Sequence, residues 1–178
     1  VDFSNCISVT FDGPSVFTVF LPNQPGADPT NGSGLPLEVG MRFMSSVDGY
    51  ITSLKYYKIA GTTGIHTGHL WANTGGAPLA EVTFINETSS GWQTAVLPTP
   101  FAITASTLYV VSYFSPSGQY PSSSLNYFTS DVVNGPLTAP AANNGLYLYS
   151  PTSTFPSSFT LTNYWVDVAF TTALGPDE

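Results

Sequence analysis

The chain has 178 residues, of which 42% are hydrophobic and 8% are charged, so it can bury a core of ordinary size but must cover its surface mainly with uncharged polar side chains. Its formal net charge of −8 argues against a nucleic-acid partner and against an anionic membrane surface, because both need a basic footprint. No apolar run approaches transmembrane length, which argues against membrane insertion, and the composition is typical of secreted or cell-surface β-proteins.

The 15 prolines and 16 glycines are spread along the chain as in an all-β protein, and no segment has helical periodicity. Strand patterns occur at residues 7–11, 16–20, 38–44, 50–59, 69–72, 79–84, 92–97, 108–114, 126–129, 145–149 and 163–170. These short strands, with loops of unequal length between them, predict an antiparallel β-sandwich of the jelly-roll kind, with an Ig-like sandwich as the alternative. We assign residues 1–174 to this single domain and 175–178 to a linker or tail.

Alternation of apolar and polar residues assigns faces within the early strands. The apolar residues of 38–44 alternate with Glu38 and Arg42, which are predicted to point outward. In the next strand the alternation slips between Ile51 and Leu54, and this slip predicts a β-bulge.

Two later strands differ in character. Residues 108–114 are apolar on both faces, which predicts a central strand covered on both sides. Residues 163–170 are predicted to close the sandwich, with three side chains facing the core: Val166, Val168 and Phe170. The opposite face of this closing strand would then carry Trp165 and Asp167.

An ordered set of motifs runs along the chain. They are LEVGMRF (37–43), VDGYI (47–51), YYK (56–58), TGIHTG (63–68), LW (70–71), NET (86–88), GWQ (91–93), YVVSY (109–113), GQY (118–120), NGPL (134–137) and NYWVD (163–167). Over about 17–172 the chain thereby resembles the domain of unknown function 4082 family of bacterial secreted and surface proteins. The resemblance implies a β-sandwich module of multidomain extracellular proteins, often near polysaccharide-acting domains, and no established activity. Gln119 departs from the histidine that the family favours, so no role of that position is carried over.

The loop 115–144 is the predicted functional segment, because it combines aromatic rings and amides with little charge. Such groups suit the hydroxyl network of a neutral sugar. The candidate ligand-binding residues are Tyr120, Asn126, Tyr127, Asp131, Asn134, Tyr164 and Trp165. Three further tyrosines, Tyr113, Tyr147 and Tyr149, either share this surface or pack in the core. An exposed Trp165 could stack on a pyranose ring, whereas a Trp165 covered by a loop would be a core residue.

These features favour a non-catalytic carbohydrate-binding-like module of a secreted or cell-surface bacterial protein. Its expected partners are a carbohydrate or cell-surface glycan and other domains of the same chain. A structural or adhesive spacer without a small ligand is the first alternative. A glycan-acting enzyme is the second, although nothing marks two of the carboxylates as facing partners and no nucleophile elbow or phosphate-binding loop is present.

Metal ligands cannot be assigned from the sequence. His66 and His69 lie three residues apart, but no third ligand has the spacing of a zinc site, and the single Cys6 excludes an internal disulfide. Asp48 is followed by Gly49, which favours a turn. Calcium is the one cofactor left open, because five aspartates could supply oxygen ligands: Asp12, Asp28, Asp48, Asp131 and Asp167.

Overall fold

The computed structural model describes residues 13–25, 32–123 and 126–175. The strands in these ranges are β1 (Val16–Phe17), β2 (Leu37–Ser45), β3 (Gly49–Lys58), β4 (Thr67–Ala72), β5 (Ala80–Thr83), β6 (Gly91–Ile103), β7 (Tyr109–Ser115), β8 (Val132–Asn134), β9 (Leu137–Ala139), β10 (Gly145–Tyr149), β11 (Ser158–Thr160) and β12 (Val166–Thr171). The predicted strand at 7–11 lies outside the described residues.

The strands form two antiparallel sheets that are not closed into a barrel, which confirms the predicted β-sandwich. The smaller sheet has the order β1-β12-β3-β6, and the larger has the order β11-β10-β2-β7-β4-β5, with β9 pairing with the end of β2 and β8 with β9. Between the layers, β12 contacts β2 and β7, β3 contacts β4, and β6 contacts β5. Since β10 and β11 lie at the edge of the larger sheet beyond β2, their inner face is left for loops to cover.

Two strand predictions are confirmed in detail. The register between β3 and β6 shifts between Ile51 and Ser53, where the sequence pattern predicts a bulge. Strand β7 lies between β2 and β4 and is buried on both faces, which is why apolar residues occupy both of its faces.

Short segments differ from the prediction. Residues 126–129 were predicted as a strand, but Tyr127–Thr129 form a single 3-10 turn with non-helical dihedral angles at Phe128. The additional strands β8, β9 and β11 have three residues each, too few for a clear alternation. No helix in the described ranges is long and apolar enough to cross a membrane.

The closing strand starts later than its pattern indicates, because the backbone turns at Trp165. This residue has a φ of 55°, a left-handed conformation that bulky side chains rarely adopt. Its N–H is held by Asn163 Oδ1 at 2.8 Å, and its C=O accepts the N–H of Tyr57 at 2.9 Å. In a regular strand, the adjacent residues Trp165 and Val166 would point to opposite faces. Because the left-handed residue breaks this alternation, the side chains of Trp165, Val166 and Val168 all enter the core.

Candidate functional site

An open cleft of about 300 Å³ lies against the inner face of β10 and β11. We call it the tyrosine cleft, after the four tyrosines in its lining: Tyr120, Tyr147, Tyr149 and Tyr164. The remaining lining residues are Leu37, Ser122, Ser123, Thr160 and Thr162. The lining therefore presents aromatic faces and hydroxyl groups, and none of its residues within the described part of the chain is charged.

The fold brings these residues together from separate segments. Tyr147 and Tyr149 alternate onto one face of β10, opposite Val39 and Leu37 of β2. Gly145, on the same face, allows the carbonyl of Thr162 to approach so closely that a β-carbon would collide with it. The chain that leads into β12 can therefore lie directly on β10, which places Tyr164 beside Tyr147.

The four tyrosine rings of the cleft contact one another edge-on. The ring centroids of Tyr120 and Tyr164 are 5.6 Å apart at an interplanar angle of 73°, and those of Tyr147 and Tyr149 are 6.2 Å apart at 73°. Tyr147 also meets Tyr164 edge-on at 6.4 Å. Tyr149 is 45% exposed and forms the rim, whereas Tyr164 is 8% exposed and forms the floor.

Two phenol groups of the cleft, those of Tyr120 and Tyr164, are held in their neutral form. Burial, followed by a hydrogen bond with Tyr149, raises the pKa of Tyr120 to about 12. Burial and then the nearby phenols Tyr120 and Tyr147 raise the pKa of Tyr164 as well. At neutral pH these side chains can therefore both donate and accept hydrogen bonds, and a neutral polyhydroxylated ligand requires both.

Trp165 does not line the cleft but supports its wall. The side chain is 4% exposed and packs against Phe20 at 4.9 Å and Tyr127 at 5.3 Å between ring centroids. Its indole Nε1–H donates a 2.7 Å hydrogen bond to Ser123 Oγ, a lining hydroxyl. Of the two interpretations of Trp165, the exposed stacking platform is therefore wrong and the covered core residue is correct.

A family model described as "Domain of unknown function (DUF4082)" matches residues 23–166, which is most of the chain. The chain belongs to the DUF4082 family. A search of curated proteins with this sequence found no match. The family description states no activity, so the chemistry of this DUF4082 domain has to be argued from its own residues.

The other candidates from the predicted functional loop lie away from the tyrosine cleft of this DUF4082 domain. Tyr127 is half-buried against the core, and Asn126 is exposed beside the 3-10 turn. Asp131 Oδ1 accepts a backbone N–H at 2.7 Å, and Asn134 Nδ2 donates to a backbone carbonyl at 2.8 Å, so both side chains stabilise loops. Tyr113, 1% exposed, lies in the core and does not reach the cleft surface.

A buried polar network on the outer face of the larger sheet was not indicated by the sequence. Glu38 does lie on that face, as predicted, but it is 0% exposed. Its Oε1 accepts a 2.6 Å hydrogen bond from Ser112 Oγ and lies 2.9 Å from His69 Nδ1, and its Oε2 accepts a 2.8 Å bond from Ser153 Oγ. The loop between β10 and β11, which contains Ser153, covers this face. Alternation alone could not reveal that cover.

The outer-face network contains a serine, a histidine and a glutamate, but its geometry is not that of a nucleophilic triad. Ser153 Oγ lies 3.2 Å from His69 Nε2 and 3.4 Å from His69 Nδ1, so it meets the ring edge between the two nitrogens. Its proton goes to Glu38, and the exposed Glu81 lies 3.2 Å from His69 Nε2. We therefore assign the network a structural role, the anchoring of the loop that joins the two cleft strands.

His66 belongs to a separate polar cluster. Its Nδ1 lies 3.0 Å from the hydroxyl of Tyr56 and 2.9 Å from a Glu87 oxygen, and Lys58 reaches Glu87 at 2.6 Å. Burial lowers the pKa of His66, and Glu87 offsets this only in part. We infer that the imidazole is neutral at pH 7 and that its contact with Glu87 is a hydrogen bond between a neutral ring and a carboxylate.

The candidate calcium ligands lie at separate places. Asp48 is in the turn between β2 and β3, where its Oδ1 accepts the N–H of Ala105 at 2.7 Å, and Asp167 is buried under the β1 segment. Asp12 and Asp28 lie outside the described residues. Within the described ranges, no three His, Cys, Asp or Glu side chains are grouped closely enough to hold a metal ion.

Proposed function

We propose that this DUF4082 domain is a non-catalytic carbohydrate-binding module whose ligand, a neutral glycan, binds in the tyrosine cleft. The observation that supports this proposal is the composition of the cleft lining: its described residues are four tyrosines, four serines or threonines and one leucine, and none is charged. The C–H faces of a sugar ring pack on aromatic faces, while its hydroxyls need donors and acceptors at the rim. An uncharged lining disfavours anionic sugars, which need a cationic partner.

The accessible rings define where the sugar would stack. Tyr149, 45% exposed at the rim, is the most exposed ring of the cleft, and the half-buried Tyr120 hydrogen-bonds with it. Thr160 and Thr162 hydroxyls lie 3.3 Å apart and are left with further donor or acceptor capacity toward the cleft. A secreted or cell-surface location is part of the proposal, because glycans with free hydroxyls are abundant there, and other domains of the same chain would then be its neighbours.

Alanine at Tyr149 or Tyr120 is expected to weaken glycan binding at least about tenfold, because each variant removes a stacking face from a small site. Tyr149→Phe should keep most of the affinity if stacking dominates over the hydroxyl. A glycan array of the isolated chain, followed by calorimetry with the best ligand, measures these effects. Both are run with calcium and again with chelator, and equal binding is expected because no carboxylate is among the described residues that line the cleft.

Phe159→Ala is the matched control. Phe159 is 58% exposed and sits next to Thr160 on β11, but it is not part of the cleft lining. Its removal should leave binding unchanged. A blank array with a folded chain would refute glycan binding and favour a structural or adhesive spacer. Conversion of a bound glycan to products would favour a glycan-acting enzyme.

A further inference from the structure

An apolar hollow of about 290 Å³ adjoins the tyrosine cleft. It is lined by Leu35, Pro36, Ser150 and Pro151, and Tyr149 belongs to both the hollow and the cleft. Leu35 is 60% exposed, so its aliphatic surface is open to a ligand beside the polar cleft. Tyr149 therefore borders a hydroxyl-rich cleft and a carbon-rich hollow.

The hollow offers almost no polar contact to a ligand. Among the described lining residues, Ser150 is the one polar side chain besides Tyr149; it already accepts a hydrogen bond from the N–H of Thr152 at 3.3 Å, and the Ser150 N–H donates to the carbonyl of Pro36 at 3.1 Å. A sugar ring placed here would lose hydrogen bonds to water without replacing them. The same surface would gain free energy by covering an apolar group.

The hollow is built into the sheet. Leu37 and Tyr149 are register partners in the pairing of β2 with β10, so the residues that precede one and follow the other are fixed side by side. The two prolines restrict the backbone on either side. A group bound in the hollow would thus meet preformed walls at a constant distance from the cleft.

We propose that the natural ligand is a neutral glycan that carries an apolar substituent, with the sugar in the tyrosine cleft and the substituent in the hollow of Leu35, Pro36 and Pro151. This inference rests on the proposed function and narrows it from neutral glycans in general to amphipathic ones. Two sources share this chemistry, an acyl ester on a sugar hydroxyl and an apolar aglycone at the reducing end.

The test compares matched ligands. Methyl and phenyl β-glycosides of glucose, galactose, mannose and xylose, with their mono-O-acetylated methyl forms, are titrated by calorimetry, and the array carries each polysaccharide before and after de-acetylation. The apolar form is expected to bind about tenfold more tightly than the methyl glycoside or the de-acetylated glycan, since it covers carbon surface in the hollow. Preference for the acetylated form identifies the acyl source, and preference for the phenyl form identifies the aglycone.

Leu35→Ser should reduce that preference to less than about threefold and leave binding of the methyl glycoside unchanged. Leu79→Ser is the control, because Leu79 is also partly exposed but precedes β5 at the opposite edge of the larger sheet. Equal binding of apolar and plain forms overturns the inference and leaves the proposed function standing. A preference that survives Leu35→Ser overturns the assignment to the hollow. No binding of any probe to the folded chain overturns both proposals.

Discussion

Glu38→Ala is expected to lower the free energy of unfolding by about 3–5 kcal/mol, because it removes the acceptor from a fully buried polar network. Glu38 is 0% exposed and its two oxygens contact Ser112, His69 and Ser153. Without the carboxylate, these partners stay buried and lose their bonds, and the deleted side chain leaves a cavity. Chemical denaturation at pH 7 measures the loss, and Glu38→Gln should cost less because an amide oxygen still accepts.

Glu81→Ala is the matched control for the Glu38 variant. Glu81 contacts the other nitrogen of the same histidine, His69, but its side chain is 61% exposed. An exposed pair of this kind contributes about 0–1 kcal/mol, so the variant should unfold at nearly the wild-type denaturant concentration. Equal losses for Glu38→Ala and Glu81→Ala would contradict the buried-anchor interpretation.

Glu38→Ala should also loosen the loop between β10 and β11. Phe155, in this loop, packs edge-on against Trp71 at 5.7 Å, so the loop is held by this contact and by the bond from Ser153 to Glu38. Once Glu38 is alanine, cleavage within residues 150–157 by a broad-specificity protease is expected to be faster than in the Glu81→Ala protein. Because the loop joins Tyr149 to β11, its loosening should also lower the affinity of the cleft rim for a ligand.

Much of the sandwich could be predicted because most of its strands have one clear alternation. Strand β10 matches the predicted 145–149 in both bounds, and the bulge near Ile51 follows from a visible slip in phase. Alternation assigns a side chain to a face, but it does not say what covers that face. Glu38 illustrates the limit, since its cover comes from a loop more than one hundred residues later in the chain.

The candidate site was predictable only in part, for a topological reason. Tyr120 and Tyr164 were named from the sequence as ligand-binding candidates and lie together in the cleft. Tyr147 and Tyr149 join them only because β10 pairs with β2 at the sheet edge, a pairing that composition cannot reveal. A signal was nonetheless present, because two tyrosines at alternate positions must share a face.

Trp165 shows how a single backbone conformation can defeat a pattern. The period-two rule assumes extended residues throughout, and the φ of 55° at Trp165 violates that assumption at one position. From Val166 onward the alternation holds again, and Val168 faces the core as predicted. Asp167 lies on the face opposite Val166 and Val168, as predicted, but it too is buried. The segment that follows β1 covers it, and the N–H groups of Val19 and Phe20 in this segment donate to its carboxyl group.

The stability of the wild-type protein is expected to fall as pH rises through the titration of Asp167. Its Oδ1 accepts the N–H groups of Val19 and Val168 at 2.8 Å each, and its Oδ2 accepts that of Phe20 at 2.9 Å. Burial raises the pKa of Asp167 from 3.8 to about 6 despite these bonds. Between these two pH values the folded state holds a proton that the unfolded state has released. The free energy of unfolding therefore declines across this window, by on the order of 3 kcal/mol from this group.

Asp167→Ala isolates that contribution, because other carboxylates titrate in both proteins and cancel in the difference. At pH 4 the variant should be clearly less stable than wild type, since the amides of Val19 and Phe20 lose their acceptor and the segment after β1 loses its anchor. At pH 7 the gap in the free energy of unfolding between wild type and variant should be narrower, because wild type now carries a buried charge that the variant lacks. Urea unfolding of both proteins at intervals from pH 4 to 7 measures the gap. A gap that widens with rising pH would mean that the bonds to Asp167 outweigh its burial, and the carboxylate would then stabilise the fold in its ionised form.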